Sequence, residues 1–275
     1  MDVITTDPVA CTALKPDVLV DERVQDRVIY GAGTSKQTWL NWQGLHQLND
    51  LDIAQRFPAQ CRVVIIAPHP DDEILGCAGL MQQLHDLKRD TVLMAVTNGT
   101  QSHPNSSIYS LVQLNQIRPQ ESLQALKVLG VQQQVQRIAL DIQDGNITLE
   151  QDRLYELLAV HIQPNDILVC TFAKDGHPDH EATGRTVQRF ADDQQLDCYQ
   201  VLVWAWHWAS PNDARIDWQH ALKLELNINQ LALKKQAIDC FKSQIEIDSS
   251  TQQPPILAST TIERILMPYE VYLHG

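Results

Sequence analysis

The chain has 275 residues, 44% of them hydrophobic, and a formal net charge of −13. That length carries a large buried core, and the acidic balance argues against a nucleic-acid or anionic-membrane partner, which needs clustered Lys and Arg. No apolar run reaches the roughly 18 residues of a membrane helix, so no integral membrane segment is expected. The start, Met1-Asp-Val-Ile-Thr-Thr-Asp7, lacks a basic stretch followed by an apolar one, which is how a secretory leader reads. Cys11, Cys61, Cys77, Cys170, Cys198 and Cys240 form no Cys-x-x-Cys pair, so free thiols in a reducing cytoplasm are expected.

Residues 1–60 are polar and mixed, with a tryptophan pair, Trp39 and Trp42, and one short helix predicted near 45–57, before Pro58. They read as an extension packed on the core. From Cys61 the pattern becomes regular: strand 62–68, helix 74–88, strand 91–97, a loop through Asn98-Gly-Thr-Gln-Ser-His-Pro104, and helix 111–129 ending at Gly130. Strand 135–140, amphipathic helix 149–163, strand 166–172, helix 179–193 and strand 199–206 follow. Such alternation predicts an α/β fold, a Rossmann-like, mostly parallel sheet with right-handed crossovers and flanking helices. The reading is a single domain over 1–275 with its core at 61–206 and a C-terminal elaboration at 207–275. In that tail 221–228 is a candidate strand, 229–243 a helix and Gln252-Gln-Pro-Pro255 a loop. Lys234, Lys235 and Gln244 fall on or just after a predicted surface helix and receive no role.

Two strand ends carry chemistry. Val63-Val-Ile-Ile-Ala67 opens into His69-Pro-Asp-Asp-Glu73, and Asp166-Ile-Leu-Val-Cys-Thr-Phe172 empties through Ala-Lys-Asp-Gly into His177-Pro-Asp-His180. Continuous apolar runs suit strands covered on both faces, and ligands in open α/β sheets bind beyond their carboxyl ends. Asp71, Asp72 and Glu73 have a plain alternative role as acidic residues complementing a helix N-terminus. Histidine, however, is not what helix starts select, and both loops offer it beside carboxylates. His69, Asp72 and His180 make two imidazoles and one carboxylate, a three-ligand set that leaves positions open for water and substrate.

Ala67-Pro-His-Pro-Asp-Asp-Glu73 together with His177-Pro-Asp-His180 resembles the LmbE/PIG-L family of zinc-dependent N-deacetylases, over about 63–206. The resemblance implies removal of an N-acetyl group from an amino sugar or amino-sugar conjugate, a small-molecule partner. It implies Zn2+ held by His69, Asp72 and His180, Asp71 as general base, and His177 acting at the reacting carbonyl with Asp179 as its orienting partner. Arg118 resembles a substrate-contacting arginine, its plain alternative being a helix-surface ion pair with Glu121. Asp175 stands where some sugar deacetylases carry a tyrosine, two residues before His177. In Thr97-Asn98-Gly99-Thr100 many relatives place an acidic residue after the glycine. Asn98 and Asp175 are therefore taken as substrate-side positions, joined by His207 from the tryptophan-rich Trp204-Ala-Trp-His-Trp208.

From the residues alone, Asp71 adjoins a ligand yet is free to accept a proton from metal-activated water. A carboxylate at Asp179 would favour the imidazolium of His177, a donor to the tetrahedral oxyanion or the leaving amine. Two histidines and a carboxylate also form the facial triad of non-haem iron oxygenases, but the α/β pattern argues against their β-barrels. A nucleotide binder is disfavoured because Leu75-Gly-Cys-Ala-Gly79 is not a Gly-x-Gly-x-x-Gly loop. The closest rival is an amidase of the same fold acting on a non-sugar amide or a thiol-sugar conjugate. A homo-oligomer is left open.

Overall fold

The computed structural model describes residues 26–274; Cys11 and the chain start lie outside them. One eight-stranded sheet organises the chain. In chain order the elements are α1 (Lys36–Leu40), α2 (Gln43–His46), β1 (Asn49–Asp50), α3 (Ile53–Arg56), β2 (Val63–Ala67), α4 (Asp72–Asp86), β3 (Thr91–Ala95), α5 (Leu111–Val128), β4 (Val135–Ala139) and α6 (Gln151–His161). There follow β5 (Ile167–Thr171), α7 (Pro178–Gln194), β6 (Cys198–Val201), α8 (Ala205–Trp208), β7 (Ala221–Glu225), α9 (Ile228–Ile238), α10 (Lys242–Ile245), α11 (Ser259–Ile265) and β8 (Tyr269–His274).

The sheet runs β1-β7-β8-β6-β5-β2-β3-β4. All strand pairs are parallel except those of β8, which is antiparallel to both β6 and β7. The continuous apolar runs follow from burial on two faces. Val63, Ile65 and Ala67 of β2 point into a core with α4, α5 and the C-terminal elements, while Val64 and Ile66 point into a second core with α6 and α7. β5 alternates the same way, with Ile167 and Val169 on one side and Leu168 and Cys170 on the other. Helix α7 lies close on the carboxyl end of β5, because a Cβ at Gly184 would stand 2.8 Å from Ala173 N and nearer still to Thr171 O.

The outer elements depart from the pattern reading. The single helix expected near 45–57 is two, α2 and α3, separated by β1. The strand expected over 199–206 ends at Val201, and the tryptophan-rich segment turns into α8. The helix expected over 229–243 breaks between α9 and α10. β8 and α11 carried no expectation. The Trp pair has a structural explanation: Trp39 is fully buried, donates Nε1 to Trp206 O at 2.8 Å, and packs edge-on to Trp206 with ring centroids 5.0 Å apart. No helix among the described residues is long and apolar enough to cross a membrane.

Lys234 is a correction, since it is 1% exposed rather than on a surface. Its ammonium pairs with Glu270 of β8 at 2.8 Å, and Glu270 also accepts from the Gly79 and Leu80 amides of α4 and from the Tyr272 hydroxyl. Strand β8 thus enters the hydrogen-bond ladder of the helix that begins at the site. Breaking a buried pair leaves an uncompensated charge, so Glu270→Ala is expected to cost about 3–5 kcal/mol, read as a lower urea midpoint at unchanged slope. A loss within the range of surface substitutions, about 0.5 kcal/mol, would show that Glu270 does not hold α4.

Candidate metal and catalytic site

β2 and β5 are hydrogen-bonded neighbours, but their crossovers leave in opposite directions, β2 to β3 and β5 to β6. Such a switch point opens a crevice beyond the strand ends, and both His-Pro-Asp loops end there. A cavity of about 470 Å³ is lined by His69, Asp71, Asp72, Arg118, His177, Asp179 and His180 among others. A groove of about 520 Å³ lies at the amino ends of β5 and β6, by Asp166 and Asp197. The carboxyl-end rule and the donor chemistry favour the first.

At the centre is the Asp72 carboxylate, whose Oδ2 lies 3.3 Å from His69 Nδ1 and 3.2 Å from His180 Nε2. Nitrogen and oxygen donors about 2.0–2.2 Å from a tetrahedral ion stand roughly 3.3 Å apart, and each of these two Asp72–histidine pairs has that spacing. Both imidazoles are also braced through their other nitrogen, as metal-binding histidines usually are. His180 Nδ1 meets Asp175 Oδ2 at 2.8 Å, and His69 Nε2 meets Asp144 Oδ1 at 3.1 Å and Asp179 Oδ2 at 3.3 Å. His177 brings a ring nitrogen within 4.8 Å of His69 and His180, and His69, Asp144 and Asp179 form a second compact donor group. In that second group the carboxylates are engaged by backbone amides, Gln101 to Asp144 and Gly145 and Ile147 to Asp179. That suits acceptors for an imidazole N–H better than open ligands.

The electrostatics favour a cation. Hydrogen bonds to Asp144, Asp179 and Asp72 outweigh burial and hold His69 well above its usual value. His180 is pushed up to about 9 because Asp72 and Asp175 outweigh burial. Burial would raise Asp72 and Asp144, but their imidazole partners hold both far below the carboxylate range. Ionised carboxylates converging on imidazoles present a site for positive charge. Asp71 differs: burial drives it up to about 7, with Arg118 opposing. An acid near neutrality beside the donor set suits proton transfer.

His177 is the N-cap of α7, and its Nδ1 accepts from the Asp179 backbone amide at 3.2 Å. Burial, then His69 and His180, push its pKa down to about 3. The ring is therefore neutral with its proton on Nε2, not the imidazolium expected. The Asp179 carboxylate braces His69 rather than His177.

Other expected residues fall differently. Asp175 is fully buried and accepts from the Val203, Trp204 and Ala205 amides as well as His180, so it is spent on structure and does not line the cavity. His207 lies away from it, its ring held between Arg264 and Tyr30 O. Trp204 lines the cavity instead. Asn98 bonds Asn115 and Asp141 outside the lining. Arg118 is 3% exposed and pairs with Asp71 Oδ2 at 3.0 Å, not with Glu121, which accepts from Ser243. Its guanidinium lies on Gly99 O, where a side chain at position 99 would collide with it; its Nε has no protein partner.

Pattern reading missed Asp144, Gln101, Ser102, Ile29, Tyr30, Gln244, Ile256 and Leu257, all on the cavity wall. Ile29 and Tyr30 arrive on the segment anchored by Arg27, which forks onto buried Glu181 at 2.8 and 3.0 Å. Asp71 itself sits at φ 139°, ψ −31°, a strained backbone costing of the order of 1–3 kcal/mol.

The family model of PIG-L, GlcNAc-PI de-N-acetylase, matches residues 64–191. Diacetylchitobiose deacetylase of Thermococcus kodakarensis is 28% identical over 139 residues, 49% of this chain and 51% of that protein, so the match spans about half the length of the curated relative. Among solved structures, a deacetylase in the biosynthesis pathway of teicoplanin superposes with TM-score 0.57 at 15% identity, covering 78% of this chain and 97% of the other. The 4-carboxy-2-hydroxymuconate hydratase of Pseudomonas putida gives 0.53 at 14% identity, with 78% and 96% covered. The structural likenesses establish the fold, and the segment that holds both His-Pro-Asp loops is the one that matches the PIG-L family model.

Proposed function

We propose that the chain is a zinc-dependent N-deacetylase that removes the acetyl group from an amino sugar or amino-sugar conjugate of the N-acetylglucosamine type. The observation that carries this is the Asp72 carboxylate set between His69 Nδ1 and His180 Nε2 at metal-ligand spacing, with unliganded Asp71 beside it. A hydratase on a similar fold means the reaction has to be argued from the site, not from the architecture. The named activities of the family model and of the curated relative support deacetylation.

His69, Asp72 and His180 would hold the ion. Zinc bound there supplies a Lewis acid for the amide carbonyl and for the attacking water. Asp71 takes the proton of that water and can return it to the departing amine. His177, held neutral with Nε2–H available, donates to the oxygen on which negative charge develops; the Asp179 amide fixes that tautomer. Asp175 and the Asp144/Asp179 pair orient the two ligating imidazoles. Trp204 and Tyr30 offer ring faces suited to a sugar, and Arg118 Nε is left for a substrate oxygen. The five described cysteines are free thiols, which supports a cytoplasmic location.

Elemental analysis with an acetate-release screen over N-acetyl sugars tests the reading. One zinc and free acetate are expected, and His180→Ala should lose both; a variant at full zinc occupancy and turnover would exclude His180 as a ligand. Asp71→Asn keeps the shape but cannot accept a proton. It should retain zinc and lose about 100- to 10,000-fold in kcat, whereas more than half the wild-type rate would remove Asp71 from the base role. Asp175→Asn keeps an acceptor for the Val203 and Ala205 amides but puts an NH2 where Oδ2 accepts from the Trp204 amide and meets His180, weakening the brace on that imidazole. Zinc affinity should fall about 10- to 100-fold in a chelator competition, and an unchanged affinity would mean that Asp175 only ties backbone amides.

A further inference from the structure

Residue 71 is the N-cap of α4, yet its side chain makes no cap hydrogen bond. An N-cap aspartate ordinarily spends its carboxylate on the first amides of its own helix. At φ 139° this one is turned away into the cavity. An aspartate does not hold that backbone unaided, and the neighbouring groups show what holds it. The Asp71 amide donates to Glu73 Oε2 at 3.0 Å, and the Asp71 carbonyl accepts from the Ile74 and Leu75 amides at 2.8 Å each. Glu73 is 1% exposed, and its other oxygen accepts from Ser122 Oγ at 2.5 Å. Arg118, one turn before Ser122 on α5, grips Pro70 O at 2.8 Å and the Asp71 carboxylate at 3.0 Å.

The plain account of Glu73 is an acidic residue complementing the start of α4. Such a residue sits in solvent and needs no partner on another helix. Glu73 is instead buried, and each oxygen is committed to one specific donor, one on the strained turn and one on α5.

We infer that Glu73, anchored by Ser122, is a positioning residue that keeps the strained turn at Asp71 in place and so holds the Asp71 carboxylate toward the metal donors. It touches neither substrate nor ion. The inference rests on the proposed role of Asp71 as the base. Arg118 fixes the carboxylate and Glu73 fixes the main chain, so α5 sets the base from two points one helical turn apart.

Glu73→Ala is the test. A displacement of about 1 Å at a catalytic group can cost on the order of 100-fold, so kcat should fall by about that factor while KM and zinc content hold. Glu73→Gln should restore most of the rate, because its amide oxygen still accepts from the Asp71 amide while its NH2 donates to Ser122 Oγ. In an Asp71→Asn background, where the base is already lost, Glu73→Ala should add nothing further, since residues acting as a unit are non-additive. A crystal structure of Glu73→Ala should show residue 71 leaving the positive-φ region. Should Glu73→Ala fail to fold, Ser122→Ala removes the same anchor from its α5 end. Asp71 unmoved at φ near 139°, or an equal rate loss in the Asp71→Asn background, would overturn the inference. A wild-type enzyme that released no acetate would sink the deacetylase reading alone, and the crystallographic arm would still decide whether Glu73 holds the turn.

Discussion

The site depends on β2 and β5 being adjacent parallel strands whose chains leave the sheet in opposite directions. Neither crossover can cover the space beyond their carboxyl ends, so both loops face one opening and their histidines converge. The geometry tolerates little slack. Gly184 lets α7 approach the end of β5 closely enough to bring His180 in, and Asp71 starts α4 at an angle that only a strained backbone provides.

Within the opening, charge is sorted by backbone donors rather than by distance alone. Asp175 is tied to three consecutive amides near α8, and Asp179 to Gly145 and Ile147. Carboxylates fixed in this way are held against the imidazoles they meet. Asp71 and Asp72 also line the cavity, and their environments differ in kind. Asp72 lies between two imidazoles, while Asp71 is buried against one guanidinium. Adjacent residues of one type are thereby driven to opposite protonation behaviour.

The central α/β pattern was legible because period-two burial on both faces leaves uninterrupted Val/Ile runs, and because proline and histidine mark where those runs end. That His69, Asp72 and His180 converge was legible for the same reason. Their partners were not: nothing near Asp144 in sequence announces that it meets His69, and Asp179 was matched to its sequence neighbour His177 when its carboxylate reaches a residue 110 positions away. Asp175 read as a substrate-side anion because burial is not visible in a loop sequence. The N- and C-terminal elements were hardest, since α2, α3, α8 and α10 are one-turn helices whose existence is decided by packing rather than by periodicity.

Strand β8 bears on where a functional unit ends. It sits between β6 and β7, and its Glu270 and Tyr272 reach into α4. The segment that matches the family model stops at residue 191, before β6 and about eighty positions short of these contacts. A fragment cut to that boundary would retain every proposed ligand, yet it would expose β5 as a sheet edge and leave the middle of α4 without its inserted carboxylate. The stretch that matches the family model is thus smaller than the set of elements that contact α4. The tail beyond that stretch is bonded to the helix that follows the first His-Pro-Asp loop.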